Sequence, residues 1–220
     1  MKNITHYTML AGLFEYPGPL FGKRVSEIQL WLDANRPAAG NLLKPFSHYI
    51  SGASPVEMEE LFTRSFDVQA VTTLDLGYVV FGDDYKRGEL LVNLNREHRD
   101  VENPCGTELA DHLPNVLRLL PMMKNLSIRD ELAGKVLAPA LRKMIGEFDP
   151  EHIKAKDKVY KKHHKTILDR QDDHYTVYQV TLMALYDVLK SDFTFSEEDP
   201  KEATSDFLKS IHSEIEIEKE

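Results

Sequence analysis

Along most of this chain the apolar residues recur three and four positions apart, and prolines and glycines cut the recurrence into helix-length pieces. A chain patterned this way folds by burying helix stripes against one another. Over 4–14, Ile4, Tyr7, Leu10, Ala11 and Phe14 share helical rows, and Tyr16-Pro17-Gly18-Pro19 stops them. A second helix is expected over 22–34, with Val25, Ile28, Trp31 and Leu32 inward, ended by Arg36-Pro37. A short third follows over 42–50. Ser54, Pro55 and Glu57 then spell a helix start: a capping side chain, a proline at the first helical position and a glutamate three residues on. That helix runs to about Phe66.

Residues 67–82 are two-faced. Leu74, Leu76, Tyr78 and Val80 alternate as in a strand, while Leu74, Tyr78 and Phe81 share a helical face. With no second strand in view to satisfy its backbone, helix from about Thr72 is expected. Gly82-Asp83-Asp84 breaks and caps, and a helix follows over 85–98. After a polar loop over 100–107, Thr107 is expected to cap a helix that carries Leu109, Leu113, Val116, Leu117 and Leu120 inward to Pro121. A long helix is expected over 127–147, kinked or broken by Pro139. Tyr175, Tyr178, Leu182, Leu185 and Leu189 mark the last core helix. The expectation is an all-α, single-domain bundle of about eight to ten helices over 1–192, followed by an acidic tail over 193–220 with room for one short helix near Phe207.

Charge and composition narrow the function. A net charge of −9 gives no general attraction for nucleic acid or anionic lipid, but would steer a basic peptide inward. The single cysteine, Cys105, excludes an internal disulfide and a four-cysteine zinc site. No apolar run approaches the roughly 18 residues of a membrane span. The first residues lack a secretory pattern, with Lys2 alone before a short apolar stretch and Glu15 interrupting. A cytoplasmic protein without membrane insertion is expected. Gly-rich phosphate loops and the Gly-x-Ser-x-Gly elbow do not occur.

The densest candidate stretch is Glu108-Leu-Ala-Asp111-His112-Leu113-Pro114-Asn-Val-Leu117. Read as helix, it buries Leu109, Leu113, Val116 and Leu120. Asp111 and His112 then lie near the helix start, partly exposed. A carboxylate there is favoured by the helix dipole and can accept from a peptide or pair with its arginine. Capping and a satisfied edge histidine is the plainer reading of the same residues.

Asp111-His112-Leu-Pro before an apolar helix resembles the Asp-His motif of the NarJ/TorD family. Leu61-Phe62-Thr-Arg-Ser-Phe66-Asp67 resembles that family's segment ending in Phe-Asp. Leu74-Asp-Leu-Gly-Tyr78, then Phe81-Gly82-Asp83-Asp-Tyr-Lys-Arg87-Gly88, is similar to the NarJ branch's Tyr…His-Gly-Asp…Arg-Gly. The likeness covers roughly residues 55–125. Ala110 stands where many relatives carry proline, and Gly82 where NarJ relatives often carry histidine.

The resemblance implies an all-helical (TorD-like), non-catalytic chaperone without cofactor or metal. It would bind the N-terminal segment of the catalytic subunit of a molybdopterin oxidoreductase, nitrate reductase-like in the NarJ branch, until cofactor insertion is complete. It also implies a client-peptide groove lined by Tyr78, Asp111, His112, Leu113 and Pro114 over a floor of Leu74 and Leu117, with Asp83 and Arg87 as secondary contacts. The oligomeric state stays open.

Two other readings compete. A metal-dependent hydrolase would use Asp111, His112 and the His163/His164 cluster, although adjacent histidines on a helix point about 100° apart and the lysines around them repel a cation. A helical adaptor would have no link to metalloenzymes. The basic run Lys154, Lys156, Lys158, Lys161, Lys162 and Lys165 reads as a solvated connector or as a contact for an acidic patch or a cofactor's phosphates.

Overall fold

A computed structural model of the chain describes residues 3–153 and 176–196. The lysine run over 154–165, His163 and His164, Asp172-Asp173-His174, Tyr175 and the segment near Phe207 lie outside the described residues. Among the described residues every regular element is helical, and an isolated antiparallel bridge joins Asp75 to His112. No helix among them is long and apolar enough to cross a membrane. The chain divides into two compact units, each assembled from separated stretches.

One unit comprises Tyr16–Thr73 and Leu141–Leu185. Its helices α2 (Phe21–Asn35) and α3 (Pro37–Gly52) pack together across a single connecting residue, Arg36. The sequence reading took Arg36-Pro37 only as a stop and began the next helix at 42. Pro37 is instead its first residue, where a fixed φ and a missing N–H cost nothing. Gly40 permits the close approach, because a Cβ there would stand 2.5 Å from Asp33 Oδ1 and 3.1 Å from the Asp33 backbone nitrogen. Phe21, Val25, Ile28 and Leu32 of α2 and Ala39, Leu43, Phe46 and Ile50 of α3 are buried.

Helix α4 (Pro55–Phe66) starts as expected: Glu57 N–H donates to Ser54 Oγ, and Ser54 N–H donates to the Glu57 carboxylate at 2.7 Å. Rings close this core. Tyr178 meets Phe66 at 4.7 Å, Phe46 at 4.9 Å and Phe62 at 6.1 Å between centroids, and Phe148 meets Phe66 at 6.4 Å. Burying each such ring stabilises by about 2–3 kcal/mol. The Tyr178 hydroxyl has no hydrogen-bond partner among the described residues, and burial pushes its pKa up.

The other unit comprises Met1–Glu15, Leu74–Ala140 and Tyr186–Glu220. Helix α1 (His6–Leu10) tightens into a 3-10 turn, Ala11–Leu13, and packs on α7 (Leu113–Leu119). Helix α5 (Leu76–Phe81) is shorter and later than the stretch expected from Thr72. Helix α6 (Tyr85–Asp100) is capped by Asp84, whose carboxylate accepts from Lys86 N–H.

The long helix expected over 127–147 is interrupted. Asn125 caps α8 (Leu126–Glu131), a π-helical segment occupies Leu132–Leu137, and α9 (Ala138–Glu147) follows. The break falls beside Pro139, which has no N–H for the Lys135 carbonyl and crowds it with its ring. Helix α10 (Val177–Asp192) ends with Asp192 2.7 Å from His6 Nε2, both buried. Phe193 packs on Tyr7 and under the Arg129 guanidinium, so packed chain continues past residue 192, where the sequence reading began a tail.

Candidate functional site

Two stretches of the first-described motif set meet edge to edge. Leu76 N–H donates to Asp111 O at 3.0 Å, and Leu113 N–H donates to Leu74 O at 2.9 Å. These bonds clasp residues 74–76 to 111–113, and they account for the strand-like alternation around Leu74. The partner strand has the length of a single bridge, which is why no second strand is legible.

The clasp sets the start of α5. Asp75 occupies its N-cap position, yet its side chain makes no cap bond. It turns outward, accepting from Arg87 Nη2 at 3.1 Å and from His112 Nδ1 at 3.3 Å. Asp111 supplies the cap in its place: Gly77 N–H donates to Asp111 Oδ2 at 3.0 Å. Position 77 must be glycine, since a Cβ would stand 2.7 Å from that oxygen and 3.1 Å from the Arg87 stem and from Leu90.

Asp111 is the first correction to the sequence reading, which placed it partly exposed on a helix. It is 0 % exposed and precedes the helix. Helix α7 begins at Leu113, with Pro114 in its first turn where a missing N–H costs nothing, whereas a helix arriving from upstream would lack that donor and crowd the Ala110 carbonyl. Thr107 therefore caps nothing here, and Leu109, expected inward, is exposed. Leu74, Leu113, Pro114 and Leu117 are all buried, so they support the site from beneath and do not line an open groove. Asp83 is exposed. Arg87 is committed to the clasp.

What reaches solvent is a compact polar and aromatic face. Tyr78 is 45 % exposed, and the Arg87 guanidinium stacks 5.4 Å from its ring centroid. The side chains of Asp75 and His112 are partly exposed, and Glu108, more open, lies 3.9 Å from His112 Nδ1. The bond from His112, reinforced by its charge and that of Arg87, holds the Asp75 carboxyl below its usual range despite burial. Burial, and then the Asp75 charge, raise Asp111; Arg87 and the Gly77 N–H only partly offset this. Two neighbouring carboxylates are thus driven apart in acidity, one facing water and one sealed.

A second polar network, not foreseen, fixes the loop that delivers Asp111 and His112. His98 Nε2 donates to Ala110 O at 3.1 Å, and His98 Nδ1 accepts from the Asn103 amide at 3.0 Å, which defines a neutral ring. Burial lowers the His98 pKa accordingly. Asn115 donates to the carbonyls of Cys105 and Leu109, and Arg118 donates to Asn115 Oδ1 and to Glu15 at 2.6 Å. Glu102 and Gly106 turn the loop at positive φ. Of the residues missed, Gly77 carried a signal: a lone glycine in a helical stretch marks a close approach.

The arrangement offers a carboxylate, an aromatic face and an imidazole to a cationic or hydrogen-bonding group. Among the described residues no group of three or more His, Cys, Asp or Glu side chains could hold a metal ion. No family model matches the chain, and no curated protein matches it significantly.

Proposed function

We propose that this chain is a cytoplasmic assembly chaperone of the NarJ/TorD type, which holds the N-terminal segment of a molybdopterin oxidoreductase catalytic subunit while its cofactor is inserted. One observation carries the reading. The stretches on which the resemblance rests, around Tyr78 and around Asp111-His112, are joined by bonds that span 34 and 37 positions of sequence and form one clasp. Within it the roles divide. Tyr78, His112, Asp75 and Glu108 face the partner, while Asp111, Leu113, Pro114 and Leu117 hold them in place. An acidic rim with an aromatic face suits a peptide with a basic end, and the net charge of −9 favours its approach.

The test is capture of a tagged chain from cells that express a reductase operon, with mass identification of what it holds, followed by calorimetry on the captured subunit's N-terminal peptide. The double substitution Tyr78→Ala/His112→Ala is expected to weaken the peptide by about tenfold or more with helicity unchanged. Unaltered affinity removes this face from the reading, and absence of any molybdenum subunit removes the reading itself. A stoichiometric metal in the purified protein would favour the hydrolase alternative.

A further inference from the structure

We infer that the segment over 193–196 is a strap that holds the helical run over 126–147 in its π-helical register, and that its release turns α8 by one residue and shifts α5, which packs on that run. The inference goes beyond the partner-binding reading and does not depend on it.

A π-helical turn carries one residue more than the α-helix it interrupts, and it persists only where its surroundings stabilise it. Here Ala138 N–H reaches back five residues to Ala133 O, where an α-helix would use Gly134 O. Pro139 leaves one carbonyl without a donor in either register, Lys135 in the α-helical and Gly134 in the π-helical, so its missing N–H does not choose between them. The strap touches the point of choice. A Cβ at Gly134 would stand 3.0 Å from Phe195 Cβ and 3.8 Å from its Cγ. Phe195 therefore sits directly on the backbone of the widened turn, and its ring lies 6.2 Å from that of Tyr186.

A second hold lies upstream, in α8. The Arg129 guanidinium stacks 5.5 Å from the centroid of the Phe193 ring, which lies 6.1 Å from that of Tyr7. The His6–Asp192 pair fixes the end of α10 from which the strap leaves. The two halves of the run differ in freedom. Helix α9 buries Ala138, Ala140, Leu141 and Met144, whereas α8 buries no residue. A shift of one residue, about 100° of rotation, therefore falls on α8 and withdraws no buried side chain from the core. Between the two halves the π-helical segment packs against α5, the helix that presents Tyr78. The device gives residues 193–196 a hold on the face that Tyr78 presents.

The experiment uses the full chain and reads the register directly, by the scalar coupling across the hydrogen bond of Ala138 N–H. In the wild type the coupling should join Ala138 to the Ala133 carbonyl. In Phe195→Ala it should pass to the Gly134 carbonyl, and Phe195→Leu, which keeps an apolar side chain on Gly134, should retain the Ala133 bond. Gly134→Ala should act like Phe195→Ala, because its methyl group displaces the ring, and combining the two should add nothing. Gly134 and Phe195 are both partly exposed and lie on different elements, so the two variants test the register independently of each other. Wherever the bond moves, the Tyr78 ring resonances should shift, and a nitroxide at Ser127→Cys should change its distance from one at Val92→Cys in a Cys105→Ser chain. A strap that only adds stability would lower the melting temperature of Phe195→Ala and leave the bond on Ala133. That result overturns the inference, as does a Tyr78 ring or an α8 label that stays in place when the bond moves. No client peptide enters these measurements, so their failure leaves the chaperone reading standing, while an empty capture experiment removes that reading without touching these results.

Discussion

The aromatic core around Tyr178 and the clasp around Asp111 are both sealed from water, yet they are held by opposite means. The first is built of rings that touch without direction: Phe46, Phe62, Phe66 and Phe148 meet at angles between 55° and 79° where they pack on Tyr178 or on each other. The second is built of directed bonds whose donors and acceptors must match one by one. Apolar packing loses stability in proportion to the volume removed. A buried polar cluster loses it according to which partner is left behind. The contrast teaches where the chain is robust and where a single atom matters.

The largest effect is expected in the ring cluster. Phe46→Ala should cost about 3–5 kcal/mol in denaturant melts, and Phe46→Leu far less, since volume decides. In the clasp, shape should matter less than pairing. Asp111→Leu is expected to cost about 3 kcal/mol by leaving the Gly77 N–H without its acceptor and Arg87 without one of its two counter-charges, whereas Asp111→Asn, whose oxygen still accepts from Gly77, should stay within about 1 kcal/mol. Equal losses for Leu and Asn would collapse the distinction between the two regions.

Acidity sharpens the same comparison. Asp111 is raised in the folded state, so the fold binds its proton more tightly than the unfolded chain does. Its contribution is greatest below the unfolded value and is lost as pH rises through the folded one. Asp75, lowered by the His112 bond, behaves in the opposite way: its contribution is present above the unfolded value and lost as pH falls through the folded one. Asp111→Asn should therefore flatten the decline in melting temperature on the rising side, and Asp75→Asn the decline on the acid side. His98, lowered by burial, stabilises fully above about 6.5, the ordinary histidine value, and progressively less as pH falls below it. His98→Gln should reduce that slope.

Smaller effects test the edges of each region. Gly77→Ala should cost about 1–3 kcal/mol through overpacking against Asp111, with Tyr78 fluorescence altered. Ser54→Ala should cost about 1 kcal/mol by removing the helix cap. Tyr178→Phe should be neutral or stabilising by up to about 1 kcal/mol, because it removes a buried hydroxyl that has no partner among the described residues. Clear destabilisation there would show that the hydroxyl is satisfied.

Legibility in the sequence follows the range of the interactions involved. The capping box at Ser54 and the interruption by Pro139 were readable because each is written within a few residues. Helical class was readable from periodicity. The start of α3 at Pro37 was misplaced because the same proline that ends one helix can begin another. The helix expected from Thr107 was lost to Pro114 and to Asn115, whose amide holds the Leu109 carbonyl in a non-helical loop. The burial of Asp111 was not readable at all, since the glycine that it serves lies 34 positions upstream. His112 keeps the partial exposure that the sequence reading gave it.

Helix α5 has six residues, too few to persist alone in water. Its first two amides are met from a distant loop, Leu76 N–H by the Asp111 carbonyl and Gly77 N–H by the Asp111 carboxylate. Tyr78 consequently acquires its orientation only when that loop docks, so the ordering of the loop and the presentation of the ring are one cooperative event. A fragment ending before residue 111 would carry every atom of the helix and still not form it.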